Sequence, residues 1–253
     1  MQRIVTIDLT LALLKGEPQH KDVESLGPFF QGALMELIDP LYASRLHQLP
    51  FNPYSQYIKM DDEMAGKLKW HVSILTDETA SKLMTPLMGL SSIRLRALDI
   101  ELEVTKTQIE QVPLKSLTDM IYSSAASRVS IRFLTPTAFK SKGEYIIVPS
   151  TRLIFQNLLM RYEQVYSGSK EIDFETIDYL EAHTRITSYG LKSRYFANVG
   201  SSTGKIPAFV GGMSLFFSGP STVAGLANML LAFGTYSGVG IKTAMGMGAM
   251  SFD

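Results

Sequence analysis

The run Gly238-Val239-Gly240-Ile241-Lys242-Thr243-Ala244-Met245-Gly246-Met247-Gly248 places four glycines in eleven positions, with one lysine and one threonine among them. Glycine lacks the Cβ barrier and accepts positive φ, so such a backbone can turn consecutive N–H groups onto an oxyanion, and Lys242 adds a point charge there. The spacing differs from a Walker loop, and the run leads into an apolar strand expected at Met245 to Phe252 rather than opening a helix. A glycine-rich hairpin that only turns the chain accounts for the spacing equally well. The other groups able to move a proton near neutral pH are four histidines, His20, His47, His71 and His183. They lie too far apart in sequence to suggest a local ligand cluster, and with no cysteine in the chain neither a metal site, a disulfide nor a cofactor is implied.

With 253 residues, 45% of them hydrophobic, and a mean hydropathy near zero, the chain is expected to form a soluble globular core of one large domain or two smaller ones. No apolar run approaches a membrane span of roughly 18 residues, and the start of the chain has no signal-peptide pattern. A cytoplasmic location is expected. Formal net charge is zero, yet the charges are unevenly placed. The 71 residues from Ala182 to Phe252 hold no Asp or Glu, while Arg185, Lys192, Arg194, Lys205 and Lys242 are basic. Met120 to Gly143 is also free of acids and carries Arg128, Arg132, Lys140 and Lys142. A face kept clear of carboxylates suits a polyanion; a region that is mostly core would be poor in every charge.

The elements that must position these groups follow from periodicity. Arg3 to Leu13 alternates as a strand, and a polar loop with Gly16, Pro18 and His20 follows. Phe29, Phe30, Ala33, Leu34, Leu37 and Ile38 recur at helical spacing. Asp39-Pro40 restarts the helix, with Asp39 as N-cap, and the second piece runs to His47 before Pro50 stops it. Tyr54 to Met60 and Lys67 to Thr76 read as a hairpin in which Leu68, Trp70, Val72 and Ile74 face one way and Lys69, His71 and Ser73 the other. Asp77 is expected to cap a helix to about Met88, and Ser92 to Lys106 supplies one long strand or a bent pair. The order β-α-β-β-α-β is that of a ferredoxin-like unit.

The order then repeats. Strands are expected at Val129 to Phe133 and Glu144 to Val148, helices at Ser150 to Tyr166 and Phe174 to His183, and a hairpin at Ile186 to Val199 and Ile206 to Phe217, joined at Gly200 to Gly204. Pro220 to Phe233 is a helix, and the last strand closes the sheet. The expected fold class is therefore α+β, with two tandem ferredoxin-like (RRM-like) domains, 1–120 and 121–253, and a polar linker near Pro113 to Ser124.

Three stretches lie in order along most of the chain: the glycine-rich run on a final helix-to-strand connection; Phe133-Leu134-Thr135-Pro136-Thr137-Ala138-Phe139-Lys140 with Tyr145 to Pro149, Ile154 to Leu159 and Arg161; and Leu46-His47 followed by Phe51 to Ser55. Together they resemble the CRISPR-associated Cas-six endoribonucleases of the RAMP superfamily. The resemblance implies an endoribonuclease that cuts CRISPR precursor RNA within its repeats without metal. A ribose 2′-OH attacks the adjacent phosphate and expels the 5′-oxygen, leaving 5′-OH and 2′,3′-cyclic phosphate ends. His47, where the family carries its catalytic histidine, is the expected proton-transfer group, on a helix end whose dipole favours imidazolium. His71 is the rival base; His20 and His183 read as loop and helix-surface residues.

Many members of that family pair the histidine with a tyrosine one turn after the Gln-Gly of the first helix and with a lysine soon after the histidine. Here Gln31-Gly32 is followed by Met35, and Gln48-Leu49-Pro50 contains no lysine. Tyr42, Arg45, Tyr54, Tyr57 and Lys59 are the candidates for the second proton or the cation, with Tyr42, Tyr54 and Lys59 placed beside His47 in the expected catalytic set. The expected RNA-binding set is Gly238, Gly240, Lys242, Thr243, Gly246, Gly248, Arg128, Arg132, Lys140, Lys192 and Arg194, and the expected partner is CRISPR repeat RNA, as precursor and as mature guide. The resemblance also admits transient contact with a CRISPR effector complex and a homodimer. Two other readings stay open: a non-catalytic RNA-binding subunit of an interference complex, and a double ferredoxin-like protein that binds a small molecule or another protein.

Overall fold

In order along the chain, the first half contains β1 (Arg3–Lys15), α1 (Gly27–Leu37), α2 (Pro40–Gln48), β2 (Tyr54–Met60), β3 (Leu68–Ile74), α3 (Asp77–Met88), β4 (Ser92–Leu95) and β5 (Ile100–Pro113). A short helix, α4 (Leu114–Thr118), leads to β6 (Arg128–Thr137), β7 (Phe139–Ser141), β8 (Glu144–Ile146), α5 (Thr151–Tyr166), α6 (Phe174–His183), β9 (Thr184–Ala197), β10 (Lys205–Phe217), α7 (Ser221–Ser237) and β11 (Met250–Phe252). The computed structural model describes residues 2–16, 23–123, 126–169, 171–197 and 204–253; Pro18, His20 and all but Gly204 of the expected connection from Gly200 to Gly204 lie outside them.

The first sheet has the strand order β2-β3-β1-β5-β4 and the second β11-β6-β10-β9. In each, the first strand of its half lies between the third strand and the closing one, which is the ferredoxin-like arrangement expected twice. The stretch Ser92 to Lys106 resolves into a bent pair, β4 and β5, turned at Asp99 with φ 51°, and β5 continues to Pro113. Thus β4 is an added edge strand. The strand expected at Glu144 to Val148 pairs only with β7 in a two-stranded ribbon, whose turn holds Lys142 and Gly143 at positive φ, as a two-residue hairpin requires.

Capping follows local chemistry. Asp39 caps α2, its carboxylate accepting from the Tyr42 N–H at 2.9 Å, with Pro40 at the first helical position. Thr76, rather than Asp77, caps α3, because the hydroxyl of Thr76 accepts from the Thr79 N–H while Asp77 already lies inside the first turn. Ser150 caps α5 and Asp173 caps α6.

Each half has its own core. Ile7, Leu9, Leu11, Phe30, Leu34, Trp70, Val72 and Leu83 pack the first sheet against α1 and α3. Ile131, Phe133, Phe155, Leu158, Leu215 and Phe233 pack the second sheet against α5 and α7. The two cores meet through α7, whose sequence is apolar all round and which is buried on nearly every face. Ile4 and Leu75, on the side of the first sheet opposite α1 and α3, join the second core, and the Ser55 hydroxyl donates to the Tyr236 carbonyl at the end of α7. The layers run sheet, helices, sheet, helices. Among the described residues no helix is long and apolar enough to cross a membrane.

Candidate functional site

The last strand is shorter than its apolar pattern suggests, because the segment between α7 and β11 is folded back on itself. Gly238, Gly240, Gly246 and Gly248 all have positive φ, as does Lys242 at 55°. The N–H of Val239 donates to Gly248 at 2.8 Å and that of Ile241 to Ala138 at 3.0 Å; those of Met245 and Met247 both return to the Lys242 carbonyl. Gly240 N–H donates to the Asn157 side chain at 2.7 Å and Ala249 N–H to the Thr135 hydroxyl at 3.0 Å. What the backbone comes close to is therefore largely the protein itself. A Cβ on Gly240 would lie 2.4 Å from the Ala138 carbonyl oxygen, and one on Gly248 2.0 Å from that of Val239. Lysine gains nothing from the left-handed conformation that glycine would adopt freely, so its presence at 242 points to a use for its ammonium group.

The loop is docked on the first half of the chain as well. Gly27, at the start of α1, packs so tightly that a Cβ there would sit 2.2 Å from the Met245 carbonyl oxygen. Gln56, 1% exposed, donates its amide to the carbonyls of Gly27 at 2.8 Å and Ala244 at 3.0 Å, and accepts from the indole N–H of Trp70 at 2.6 Å. A single buried side chain thereby ties β2, β3, α1 and the glycine-rich loop together.

Between the halves opens a cleft of about 430 Å³. Its first-half wall is Gln31 of α1 and Pro50, Phe51 and Asn52, the segment after α2; its second-half wall is the glycine-rich loop from Gly240 to Met245, Lys140, and the α5 side chains Gln156, Asn157 and Arg161. Among the described residues that line it, three are cationic, Lys140, Lys242 and Arg161, and none is acidic. Arg161 was missed as a site residue by sequence reasoning. Its signal was a charge on the apolar stripe of α5, spaced with Ile154 and Leu158. It is 2% exposed; its guanidinium donates to Thr243 Oγ1 at 2.8 Å, to the Gly240 carbonyl at 3.1 Å and to the Ser237 carbonyl at 3.3 Å. Burial pulls its pKa down to about 10, which leaves it a cation at neutral pH.

His47 occupies the last turn of α2 and is exposed. Its ring is not part of the cleft wall, which begins three residues later at Pro50. Tyr42 is buried one turn earlier, its hydroxyl 2.8 Å from Thr79 Oγ1; burial pushes its pKa up. It borders a smaller groove of about 180 Å³ with Arg45, Phe51 and Glu78, and Arg45 is paired with Glu78. Tyr54 is fully buried with Gln31 as the polar neighbour of its hydroxyl, and burial pushes its pKa up strongly. Lys59 pairs with Asp62 on the face of the first sheet opposite α1 and α2. The structure brings His47 and Tyr42 onto one helix, sets Tyr54 behind Gln31 of the cleft wall, and does not bring Lys59 to them.

His71 lies on that same opposite face, part-buried, with Asp8 Oδ1 2.7 Å from its Nδ1 and Ser73 Oγ 2.8 Å from its Nε2. The Tyr57 ring stacks on it at 4.8 Å. His183 ends α6, its Nδ1 2.8 Å from the Tyr179 carbonyl. Of the expected RNA-binding residues, Lys140, Gly240, Lys242 and Thr243 line the cleft, and Gly238, Gly246 and Gly248 shape the loop behind it. Arg128, Arg132 and Lys192 are exposed on the second sheet, with Arg128 over the Phe216 ring at 5.1 Å and Arg132 bordering a shallow groove of serines and glycines. Arg194 borders another with Tyr195 and Glu24. Among the described residues no group of three or more His, Asp or Glu side chains is placed to hold a metal ion.

Comparison with known proteins finds relatives in sequence and in fold. The family model for the CRISPR-associated endoribonuclease Cas6 matches residues 131–250. A CRISPR-associated endoribonuclease Cas6 of Streptococcus thermophilus is 37% identical over 232 residues, covering 91% of this chain and 92% of that one. One of Mycobacterium tuberculosis (strain ATCC 25618 / H37Rv) is 37% identical over 246 residues, covering 96% and 76%. A solved Cas6 product complex superposes with a TM-score of 0.77 at 23% identity, covering 99% of both chains.

Proposed function

The chain belongs to the CRISPR-associated endoribonuclease Cas6 family, and on that footing we propose that it cuts CRISPR precursor RNA within its repeats by attack of a ribose 2′-OH on the neighbouring phosphate. The 2′-oxygen bonds to phosphorus as its proton leaves, the 5′-oxygen departs and takes a proton, and the fragments end in 2′,3′-cyclic phosphate and 5′-OH. Because RNA carries its own nucleophile, the protein needs to align the strand, move two protons and offset the charge that builds on the phosphate.

One observation carries this reading: a cleft with three cations and no carboxylate among its described lining residues begins three residues after an exposed histidine at a helix end. Lys242 and Lys140 meet the phosphates from the glycine-rich side, and His47 on the other rim handles a proton. Tyr42 and Tyr54 support α2 and Gln31 from the core, and Lys59, paired with Asp62 on the opposite sheet face, takes no part in the cleft. The exposed Arg128, Arg132, Lys192 and Arg194 extend the basic surface along the second sheet. The two functional units are 1–120 and 121–253, although α4 at the boundary packs with the second core through Leu117.

The test is cleavage of a labelled repeat RNA in EDTA, with and without 2′-deoxy at the scissile nucleotide. Full activity in EDTA, a cyclic phosphate on the upstream fragment and no cut in the deoxy substrate are expected; loss of activity with chelator, or cutting of the deoxy substrate, contradicts the mechanism. His47→Ala should slow single-turnover cleavage by about a hundredfold or more while RNA affinity stays nearly unchanged, since phosphate contacts dominate it.

A further inference from the structure

Arg161 is charged, almost fully buried, and has no carboxylate among the partners of its guanidinium within the described residues. A cation in such a place is costly unless dipoles replace the missing counter-ion. Two carbonyls do so along its edge, those of Ser237 at the C-terminal end of α7 and of Gly240 just beyond, where the helix dipole is negative. Its flat face is met by the ring of Phe51, whose centroid is 4.9 Å from Cζ. Aromatic rings attract cations through their electron-rich face, and the more so where water is excluded.

Phe51 belongs to the other half of the chain. It lies four residues after His47, between Pro50 and Pro53, and Pro53 is itself fixed by the Leu75 N–H at 2.9 Å. Prolines on either side restrict the backbone of this segment. The ring borders both the large cleft and the smaller groove that holds Tyr42, so it is the partition between them, pressed onto α5. One guanidinium thus has its edge in the glycine-rich loop and its face under the segment that follows His47.

We propose that Phe51 and Arg161 form a latch across the cleft, a pair of positioning residues that holds the His47 side of the site in register with the glycine-rich side. The inference rests on the functional reading above for what the register is used for, but not for the latch itself. A catalytic group a fraction of an ångström out of place slows the chemistry while hardly changing the phosphate contacts that set affinity. Loss of the latch therefore separates rate from binding.

The experiment compares Phe51→Leu, of similar bulk but without a π face, with Phe51→Tyr, which keeps it. Single-turnover cleavage of labelled repeat RNA should be about tenfold slower in Phe51→Leu with the dissociation constant within about threefold, and Phe51→Tyr should recover most of the lost rate. Amide hydrogen exchange in residues 49–52 and 240–243, measured without RNA, should rise in Phe51→Leu and fall back in Phe51→Tyr. Arg161→Lys, which keeps the charge but lacks a planar group to serve edge and face together, should show the same loss and the same exchange should Phe51→Leu prove unfolded. Wild-type rate in Phe51→Leu, or equal loss in Phe51→Tyr, overturns the latch. If the unmodified chain cleaves no repeat RNA, the functional reading falls and exchange alone decides: unchanged exchange in Phe51→Leu overturns the latch, and exchange that rises and is reversed by tyrosine upholds it.

Discussion

Gln56→Met tests whether the junction between the halves is held as described. Methionine has nearly the length of glutamine, so packing is kept while three hydrogen bonds are removed. The Trp70 indole N–H, 0% exposed and a donor only, is left unpaired, at about 1–3 kcal/mol. The carbonyls of Gly27 and Ala244 each lose a bond worth about 0.5–1.5 kcal/mol. The more apolar side chain returns roughly 1 kcal/mol, which puts the net loss near 3 kcal/mol. With a urea slope of about 3 kcal/mol/M for a chain of this size the unfolding midpoint should fall by about 1 M. Trp70→Phe removes the orphaned donor, so the double variant should be less unstable than the sum of the two single ones by about 1–2 kcal/mol. Urea titrations followed by far-ultraviolet circular dichroism on all four proteins give these values. A loss under about 1 kcal/mol in Gln56→Met, or strict additivity with Trp70→Phe, would refute the reasoning. The same variant should bind repeat RNA more weakly, because the turn Thr243–Met245 is no longer held from below.

Lys242→Gly relieves a non-glycine residue of positive φ, so stability should hold or rise by up to about 1 kcal/mol, while RNA affinity falls and the slope of log affinity against log salt drops by about 1; unchanged affinity would mean that the ammonium makes no phosphate contact. Gly240→Ala should destabilise by more than about 2 kcal/mol, since its Cβ meets a backbone oxygen at positive φ, and thermal denaturation that matches the parent protein would contradict the close approach. Burial pushes the Asp8 carboxyl up, but the hydrogen bond and charge of His71, with Lys69 and Lys59, outweigh it and hold the group below its ordinary value. A depressed carboxylate contributes stability above its unfolded pKa of about 3.9, and this is lost as pH falls through the lower folded value. Asp8→Asn should therefore be less stable than the parent near pH 6 and lose less on acidification below about pH 4, as urea midpoints at the two pH values will show; identical slopes would remove the linkage.

Much of this protein could be read along the chain. Helix and strand periodicity, the Asp39-Pro40 restart and the Gly and Pro punctuation place nearly every element, and the doubled β-α-β-β-α-β order follows from them because these signals act between residues two to four apart. The glycine-rich stretch, the Pro136-Thr137-Ala138-Phe139 segment and His47 also carried the family resemblance. What needed the tertiary structure was the partner of each polar group. Gln56 finds the Ala244 carbonyl 188 residues away, and Arg161 finds Thr243 at a separation of 82; no local pattern encodes such pairs. The last strand starts at Met250 rather than Met245, because Met245 and Met247 look extended by composition, whereas Gly246 and Gly248 take positive φ and Met245 and Met247 donate back to Lys242. His71 faces away from α1 and α2, as its alternation with Trp70 requires, but that α7 covers the serine end of this face depended on how the two halves pack. Residue order determined the parts and their chemistry; burial of α7 between two sheets, which makes each half complete the other's core, decided which of those parts meet in the cleft.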